Sequence, residues 1–411
     1  MSVEHKFKKD EPNKIPSKWQ LREFKDCLAQ DKGKVGKVKR IDYLEFGKYP
    51  IIDQGKQLIA GYTNKSSIVY DGKLPVIIFG DHTRIFKYIN FPFVAGADGT
   101  KTIVSDSKLI YAKYFFYALL NTPIQSRGYN RHYSLLKRKK ILLPPLVEQH
   151  GIAEVLSTVD EAIQWTDAVI EKAEELKRGL MQRLLTRGIG HTRFKKTELG
   201  EIPETWRIER GRNIFKIVGG YAPAQIILSN DKEANGLFIK VNDMNNELNQ
   251  KEIITSENRF YIKENKNIKL FPKNTIIFAK RGAAIFQNRV RILSRDAIFD
   301  PNIMGLICKL NIDVTFLYFL LKNMKLYRLV ENAGIPQLNN KQIYPLRFTI
   351  PPILEQKKIV HILSKTDELI QNQKKRKIQF IKLKMGLMQV LLTGKVRVRL
   401  DEGGLHRIRD G

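Results

Sequence analysis

The sequence predicts an α+β chain: two globular mixed α/β domains joined by two long antiparallel helices that form a coiled coil, built as a pseudo-two-fold internal repeat. Three observations carry this. Residues Pro144–Thr186 align without a gap on Pro351–Thr393 at a constant offset of 207, with 20 of 43 positions identical. A shorter echo opens each half, Ile15-Pro16-x-x-Trp19 returning as Ile202-Pro203-x-x-Trp206. The enclosed stretches 20–143 and 207–350 show no obvious similarity, so one repeated frame encloses two different inserts.

Each copy of the frame opens on Pro-Pro, which fixes an extended entry and puts a proline near the first helical position. Glu148 or Glu355 then falls in the first turn, where the helix dipole favours an acid. Apolar residues recur at alternating spacings of three and four, through Ile152, Leu156, Val159 and Ile163 to Leu180 and Leu184. The second copy repeats this from Ile359 and Leu363 to Leu387 and Leu391. That is a coiled-coil seam, interrupted at Thr166, Gln373 and Lys377. Gly188 and Gly394 mark the ends. A helix of about 40 residues is about 60 Å long and needs a partner. The nearest candidate is its own duplicate, antiparallel because the chain leaves along one copy and returns along the other.

The inserts alternate short β-rich runs with glycine, asparagine and aspartate turns. Strands are expected at 75–79, 274–279 and 289–293, and helices near 112–120 and 314–330. The expected divisions are a first domain over 1–143, a helix over 144–187, a second domain over 188–350, a second helix over 351–394 and a basic tail over 395–411.

Composition narrows the function. The net charge is +30, and Lys+Arg less Asp+Glu gives +14 for 1–143, −3 for 144–187, +11 for 188–350 and +8 for 351–411. Inserts this basic are expected to meet a polyanion, most simply nucleic acid. No apolar run reaches the length of a membrane span and the N-terminus lacks a signal-peptide pattern, so a cytoplasmic protein is expected. Cys27 and Cys308 fall in different halves without metal-ligand spacing, and the seven histidines are scattered, so no disulfide framework or metal site is expected.

Catalytic signatures are missing. Gly394-Lys395 continues to Val396 and does not complete a phosphate-binding loop. Asp300-Pro301-Asn302 is not the Asn/Asp-Pro-Pro-aromatic signature of amino-methyltransferases, and Gly219-Gly220 lacks a dinucleotide-binding context. Glu264-Asn265-Lys266 has a nuclease-like Glu-x-Lys spacing, but such triplets are common in a chain this basic. The expectation is a non-catalytic, cofactor-free chain. Polar, glycine-flanked segments supply the candidate DNA contacts: His82, Thr83, Arg84, Lys101, Arg131 and His132 in the first insert, and Lys240, Asn242, Arg281, Arg289, Gln337 and Asn339 in the second. Arg and Lys suit guanine, and Asn and Gln suit adenine, while for any one residue a phosphate contact or solvated turn is the commoner role.

On the PPLVEQ and PPILEQ helix starts, the LMQRLLT and LMQVLLT helix ends and the LGEIPETW stretch at Leu199–Trp206, the chain resembles the DNA specificity subunit of type I restriction-modification systems. The resemblance covers nearly the whole chain. It implies double-stranded DNA as the partner and two target recognition domains, each reading one half of a split, asymmetric DNA site, with the helices setting the spacing. It further implies two copies of a methylation subunit that methylates adenine using S-adenosylmethionine, and a restriction subunit that translocates and cleaves DNA. Leu180, Leu184, Leu387 and Leu391, on the seam or its flank, are the expected docking positions for the methylation subunits. Alternative readings are the recognition subunit of a fused methyltransferase-nuclease system and a non-catalytic coiled-coil scaffold. The basic run Lys374-Lys375-Arg376-Lys377 departs from the first copy, which has Asp167-Ala168-Val169-Ile170 there.

Overall fold

The structure, a computed structural model, describes residues 15–410 except 98, 127, 129, 310, 331–334 and 401–405, and only the backbone from residue 399 onward. The amino-terminal residues 1–14, and 401–405 and 411 of the basic tail expected over 395–411, therefore lie outside the described residues. The chain divides into two compact units, Met1–Ala168 with Lys374–Gly411, and Val169–Gln373.

In the first unit, strands β1 (Gln20–Glu23), β2 (Lys37–Val38), β3 (Tyr49–Ile52), β4 (Gly61–Thr63), β5 (Val76–Gly80), β6 (Phe86–Ile89), β7 (Val94–Gly96) and β8 (Thr100–Ile103) lead to helices α1 (Ala112–Leu120) and α2 (Tyr133–Leu136). Strand β9 (Lys140–Leu143) then feeds the long helix α3 (Leu146–Arg187). The strands form a β2-β7-β3-β4 sheet, a β6-β5-β8 sheet and a β1-β9 ribbon. Every residue of β5 is buried, because both faces are covered. Ile77 and Phe79 face a core with α1 and the start of α3, while Val76 and Ile78 face a second core with Ile52 and Phe93.

The second unit holds the rest of α3, strands β10 (Phe194–Thr197), β11 (Gly200–Pro203) and β12 (Arg207–Arg210), helix α4 (Gly211–Ile214), and strands β13 (Phe215–Gly219), β14 (Leu228–Ser229), β15 (Gly236–Ile239), β16 (Glu252–Ile253) and β17 (Asn258–Phe260). It continues with β18 (Ile276–Ala279), β19 (Val290–Leu293), β20 (Ile298–Phe299) and β21 (Ile303–Cys308), helices α5 (Val314–Met324) and α6 (Asn340–Ile343), β22 (Arg347–Ile350) and the long helix α7 (Ile353–Leu391). Its sheets run β14-β17-β15-β20 and β13-β21-β18-β19-β16, with a β12-β22 ribbon. The helix expected over 314–330 ends at Met324, since Lys325 is left-handed at φ 54° and Asn288 bonds the Lys322 carbonyl and the Leu326 amide.

The two inserts share a connectivity that their sequences conceal. β3 is antiparallel to β4 and parallel to β7, as β15 is antiparallel to β17 and parallel to β20. β5 is antiparallel to β6 and β8, as β18 is to β19 and β21. The ribbons share a register too, Gln20 opposite Leu143 and Arg207 opposite Ile350.

The repeated motifs close each insert at its base. Trp19 Nε1 donates to Glu148 at 3.0 Å, and Trp206 Nε1 donates to Glu355 at 3.0 Å. The next residue of each motif anchors the insert's helix. Gln149 accepts from the Tyr111 amide and donates to the Pro144 carbonyl, and Gln356 accepts from the Asp313 amide and donates to the Pro351 carbonyl. Glu148 and Glu355 therefore hold the frame together, where the sequence offered them only the helix dipole. The second ligand of each carboxylate differs: Arg397 grips Glu148 with two bonds of 2.6 and 2.8 Å, whereas Glu355 takes His191 at 2.7 Å and the Ile189 amide at 3.0 Å.

The helix seams are filled in the same repeated way. In the first unit Lys384 pairs with Asp160 at 2.5 Å and Lys377 with Asp167 at 2.6 Å. In the second, Lys177 pairs with Asp367, the repeat-equivalent of the Asp160–Lys384 pair. Lys377, which interrupts the apolar periodicity, thus has an acid opposite it, and Thr166 is buried with its hydroxyl donating to the Ala162 carbonyl.

Candidate nucleic-acid interface

In the first unit the turn between β5 and β6 is bound to the segment preceding α2. Asp81, 2% exposed, accepts the amides of His132 and Tyr133 on one carboxylate oxygen at 2.8 and 2.7 Å. Its carbonyl lies 2.9 Å from the His132 ring nitrogen Nδ1. A third segment joins through Gln54, whose side chain accepts the His82 amide and whose carbonyl accepts the Thr83 hydroxyl at 2.6 Å. That segment is anchored by buried Lys87, which donates to the carbonyls of Asp53 and Gln57 at 2.7 and 2.5 Å; burial pushes its pKa down while the Asp53 carboxylate opposes the shift.

Of the residues expected to reach DNA here, Arg84 and Arg131 are exposed. Arg84 has a left-handed backbone at φ 62° and donates to the Ile124 carbonyl at 3.0 Å. Lys101 lies over the Tyr133 ring, which connects it to the same cluster. His132 corrects the expectation: it is fully buried, so it shapes the site from within and is not available to a groove. Thr83 is exposed, but its hydroxyl hydrogen is committed to Gln54. The sequence missed Asp81 and Gln54, because each contacts loops tens of residues away in the chain.

In the second unit the connection between β18 and β19 meets the segment preceding α6 at the corresponding place. Arg281 and Gln337 form an isolated antiparallel bridge, flanked by Gly282 N–H to Pro336 and Leu338 N–H to Lys280, each 2.8 Å. Gly282 has φ 78°, a conformation glycine adopts without strain. Gln337 donates to the Asn339 side chain at 3.0 Å, so Arg281, Gln337 and Asn339 are gathered on one exposed edge. Lys240 and Asn242 sit on a different loop, where the Lys240 amide donates to Asp243 at 2.7 Å and Asn242 accepts from Asn245 at 3.1 Å. Arg289 is only partly exposed and its Nη1 is buried without a partner.

The docking assignments separate into two classes. Leu184 and Leu391 are buried in the cores of the second and first unit respectively, so they are not available to another subunit. Leu180 and Leu387 are partly exposed. Apolar side chains the periodicity did not single out are exposed on the helices, among them Trp165, Leu176, Ile378 and Met385. Among the described residues no group of acidic, histidine or cysteine side chains could hold a metal ion, and no helix is long and apolar enough to cross a membrane.

The duplicated scaffold carries a loop-built polar edge in each unit, and comparison with known proteins gives the family. The type I restriction modification DNA specificity domain matches residues 16–175 and again 203–382. The chain belongs to that family and carries the domain twice. It is 27% identical over 419 residues to the type I restriction enzyme MjaVIII specificity subunit of Methanocaldococcus jannaschii, covering 96% of this chain and 97% of that one. It is 25% identical over 354 residues to the EcoR124I/EcoR124II specificity subunit of Escherichia coli, covering 81% and 82%. The fold matches the crystal structure of a type I S subunit from M. genitalium with a TM-score of 0.60 at 17% identity, covering 93% of this chain and 97% of that chain.

Proposed function

We propose that this chain selects the DNA sequence on which a type I restriction-modification complex acts, each unit reading one half of a split, asymmetric site. The observation that carries the reading is the pairing of one connectivity with two chemistries. Corresponding loops present Arg84 and Arg131 in one unit and Arg281, Gln337 and Asn339 in the other, with Lys101 of strand β8 set over Tyr133 beside the first. The recognition domains correspond to 1–143 and 188–350. Helices 144–187 and 351–394 act as an antiparallel coiled coil that sets half-site spacing, a role supported by the opposed order of the Asp160–Lys384 and Asp167–Lys377 pairs. Two methylation subunits dock on the helices beside Leu180 and Leu387, a restriction subunit joins them, and the complex works in the cytoplasm. The chain itself performs no chemistry.

Mapping methylated adenines in cells that carry the whole system tests this. Replacing residues 207–350 by the corresponding insert of a related subunit should rewrite one half of the methylated motif and leave the other unchanged. A swap that altered both halves, or neither, would refute the division. Methyl transfer by the purified chain alone would refute its non-catalytic role.

A further inference from the structure

The second unit gathers one buried and two partly buried cations, and the one carboxylate that acts on them, Asp367 on Lys322, is shared with Lys177. Arg291, on β19, is 8% exposed; its two Nη groups donate to the carbonyls of Val290 and Met244 at 2.9 Å each, and its Nε is buried without a partner. Arg289 stands two residues earlier, at the end of the Lys280–Arg289 connection, with its Nη1 buried and unpartnered. Between β18–β19 and α5 the link is Asn288. Its side chain donates to the Lys322 carbonyl at 2.9 Å and accepts the Leu326 amide at 3.0 Å, which pins the start of β19 to the last turn of α5. Lys322 donates to the Tyr318 hydroxyl at 3.1 Å, and among the described residues no carboxylate lies within ion-pair distance of it.

The electrostatics follow the geometry. Burial pushes Arg291 down in pKa, with Arg289 adding to the shift, and burial pushes Lys322 down, with Asp367 opposing and Arg291 reinforcing. Asp367, the carboxylate acting on Lys322, is already taken by Lys177. Buried charge without a counter-ion is costly, and carbonyl oxygens compensate it only in part. A site of this kind is built for an anion that arrives from outside.

We infer that Arg289 and Lys322, with Arg291 fixed behind them, form a phosphodiester-binding site at the root of the Lys280–Arg289 connection. This rests on the DNA-reading function proposed above. The assignment to phosphate, and not to a base edge, follows from position and chemistry. Arg281 and Gln337 present planar donor groups at the exposed end of the connection, with Gln337 bonded to Asn339. At its root the Arg291 fork is spent on carbonyls and Lys322 is a point charge, which suits an oxyanion without discriminating between bases.

The test uses the full chain with its methylation subunits, and two duplexes, one containing the methylated motif and one scrambled. Arg289→Gln and Lys322→Gln should each weaken binding of both duplexes by the same factor. Each should also reduce the slope of log affinity against log salt by about 1, with the methylated motif unchanged. Arg289→Lys should restore the slope, which separates a charge effect from misfolding. A single methylphosphonate placed through the second half-site should reproduce the loss at one position for the unaltered protein and add nothing to Arg289→Gln. Loss confined to the cognate duplex would make Arg289 a base contact and overturn the proposal. An unchanged salt slope with weakened subunit assembly would overturn it in favour of a protein carboxylate. If the slope and the affinity of every variant match the unaltered protein while the motif is still read, the DNA-reading function stands and this site falls. If the unaltered complex shows no salt-dependent DNA binding, both fall.

Discussion

The two units have one frame and one strand connectivity, yet hold their reading edges differently. In the first, a buried side chain, Asp81, reaches across to carry the start of α2. In the second the corresponding segments are joined by backbone bonds around Arg281 and Gln337, and Asn339 exchanges a local bond with Gln342 at the start of α6. Sheets need only the right alternation of apolar residues, so two unrelated sequences can build the same layers. Loops need particular partners, and those were solved separately in each half. The lesson is that the duplicated frame carries the fold and the loops are free to diverge in what they read.

The insert exchange described above has the largest expected effect, since it replaces half of a recognition sequence outright. Next comes the frame itself. Glu148→Ala and Glu355→Ala each remove the acceptor for a buried tryptophan and for a second side chain, Arg397 or His191, and should cost about 3 kcal/mol in denaturant unfolding. The second ligands should then distinguish the units. Arg397→Ala removes a two-bond partner and should cost about 2 kcal/mol, whereas His191→Ala leaves the Ile189 amide on Glu355 and should cost about 1 kcal/mol. Equal losses would mean that the two frames are energetically alike despite their different ligands.

Asp81→Ala should relax the first half of the methylated motif, with a discrimination loss of about 1–3 kcal/mol, and leave the second half intact. Asp81→Asn should largely restore it, because one carboxylate oxygen accepts both amides and an amide oxygen can take its place. A relaxation of both halves would deny that the units read independently.

The smallest effect concerns the thiols. Burial pushes Cys27 and Cys308 up to about 12, so both stay protonated and slow toward iodoacetamide at pH 8 in the folded chain. Cys308, the more exposed of the two, should react first. Because the folded value exceeds the ordinary value near 9, the unfolded chain releases these protons first. Stability should therefore fall as pH rises from about 9 toward about 12. Fast labelling of Cys27 at pH 8 would show that the first unit opens readily.

The sequence by itself determined the duplication, the two long helices, the family and three strands, expected at 75–79, 274–279 and 289–293 and found at Val76–Gly80, Ile276–Ala279 and Val290–Leu293, because these are written in local periodicity and in motifs repeated at a fixed offset. Helix α1 falls on the residues expected for it. What only the tertiary structure decided lies in contacts between residues far apart in the chain. Trp19 and Glu148 are 129 positions apart, and Arg397 and Glu148 are 249 apart. No periodicity announces such pairs. Lys377, an interruption when its helix is considered alone, becomes an ion-pair partner once Asp167 stands opposite it. His132, within a polar, glycine-flanked segment of the sequence, is buried, with its amide and ring nitrogen held by Asp81, 51 positions away. Leu184 and Leu391, which fit an outward docking role by spacing, are claimed by the cores of their own units. Spacing places a residue on a face of its helix, but what covers that face depends on segments a hundred or more residues away.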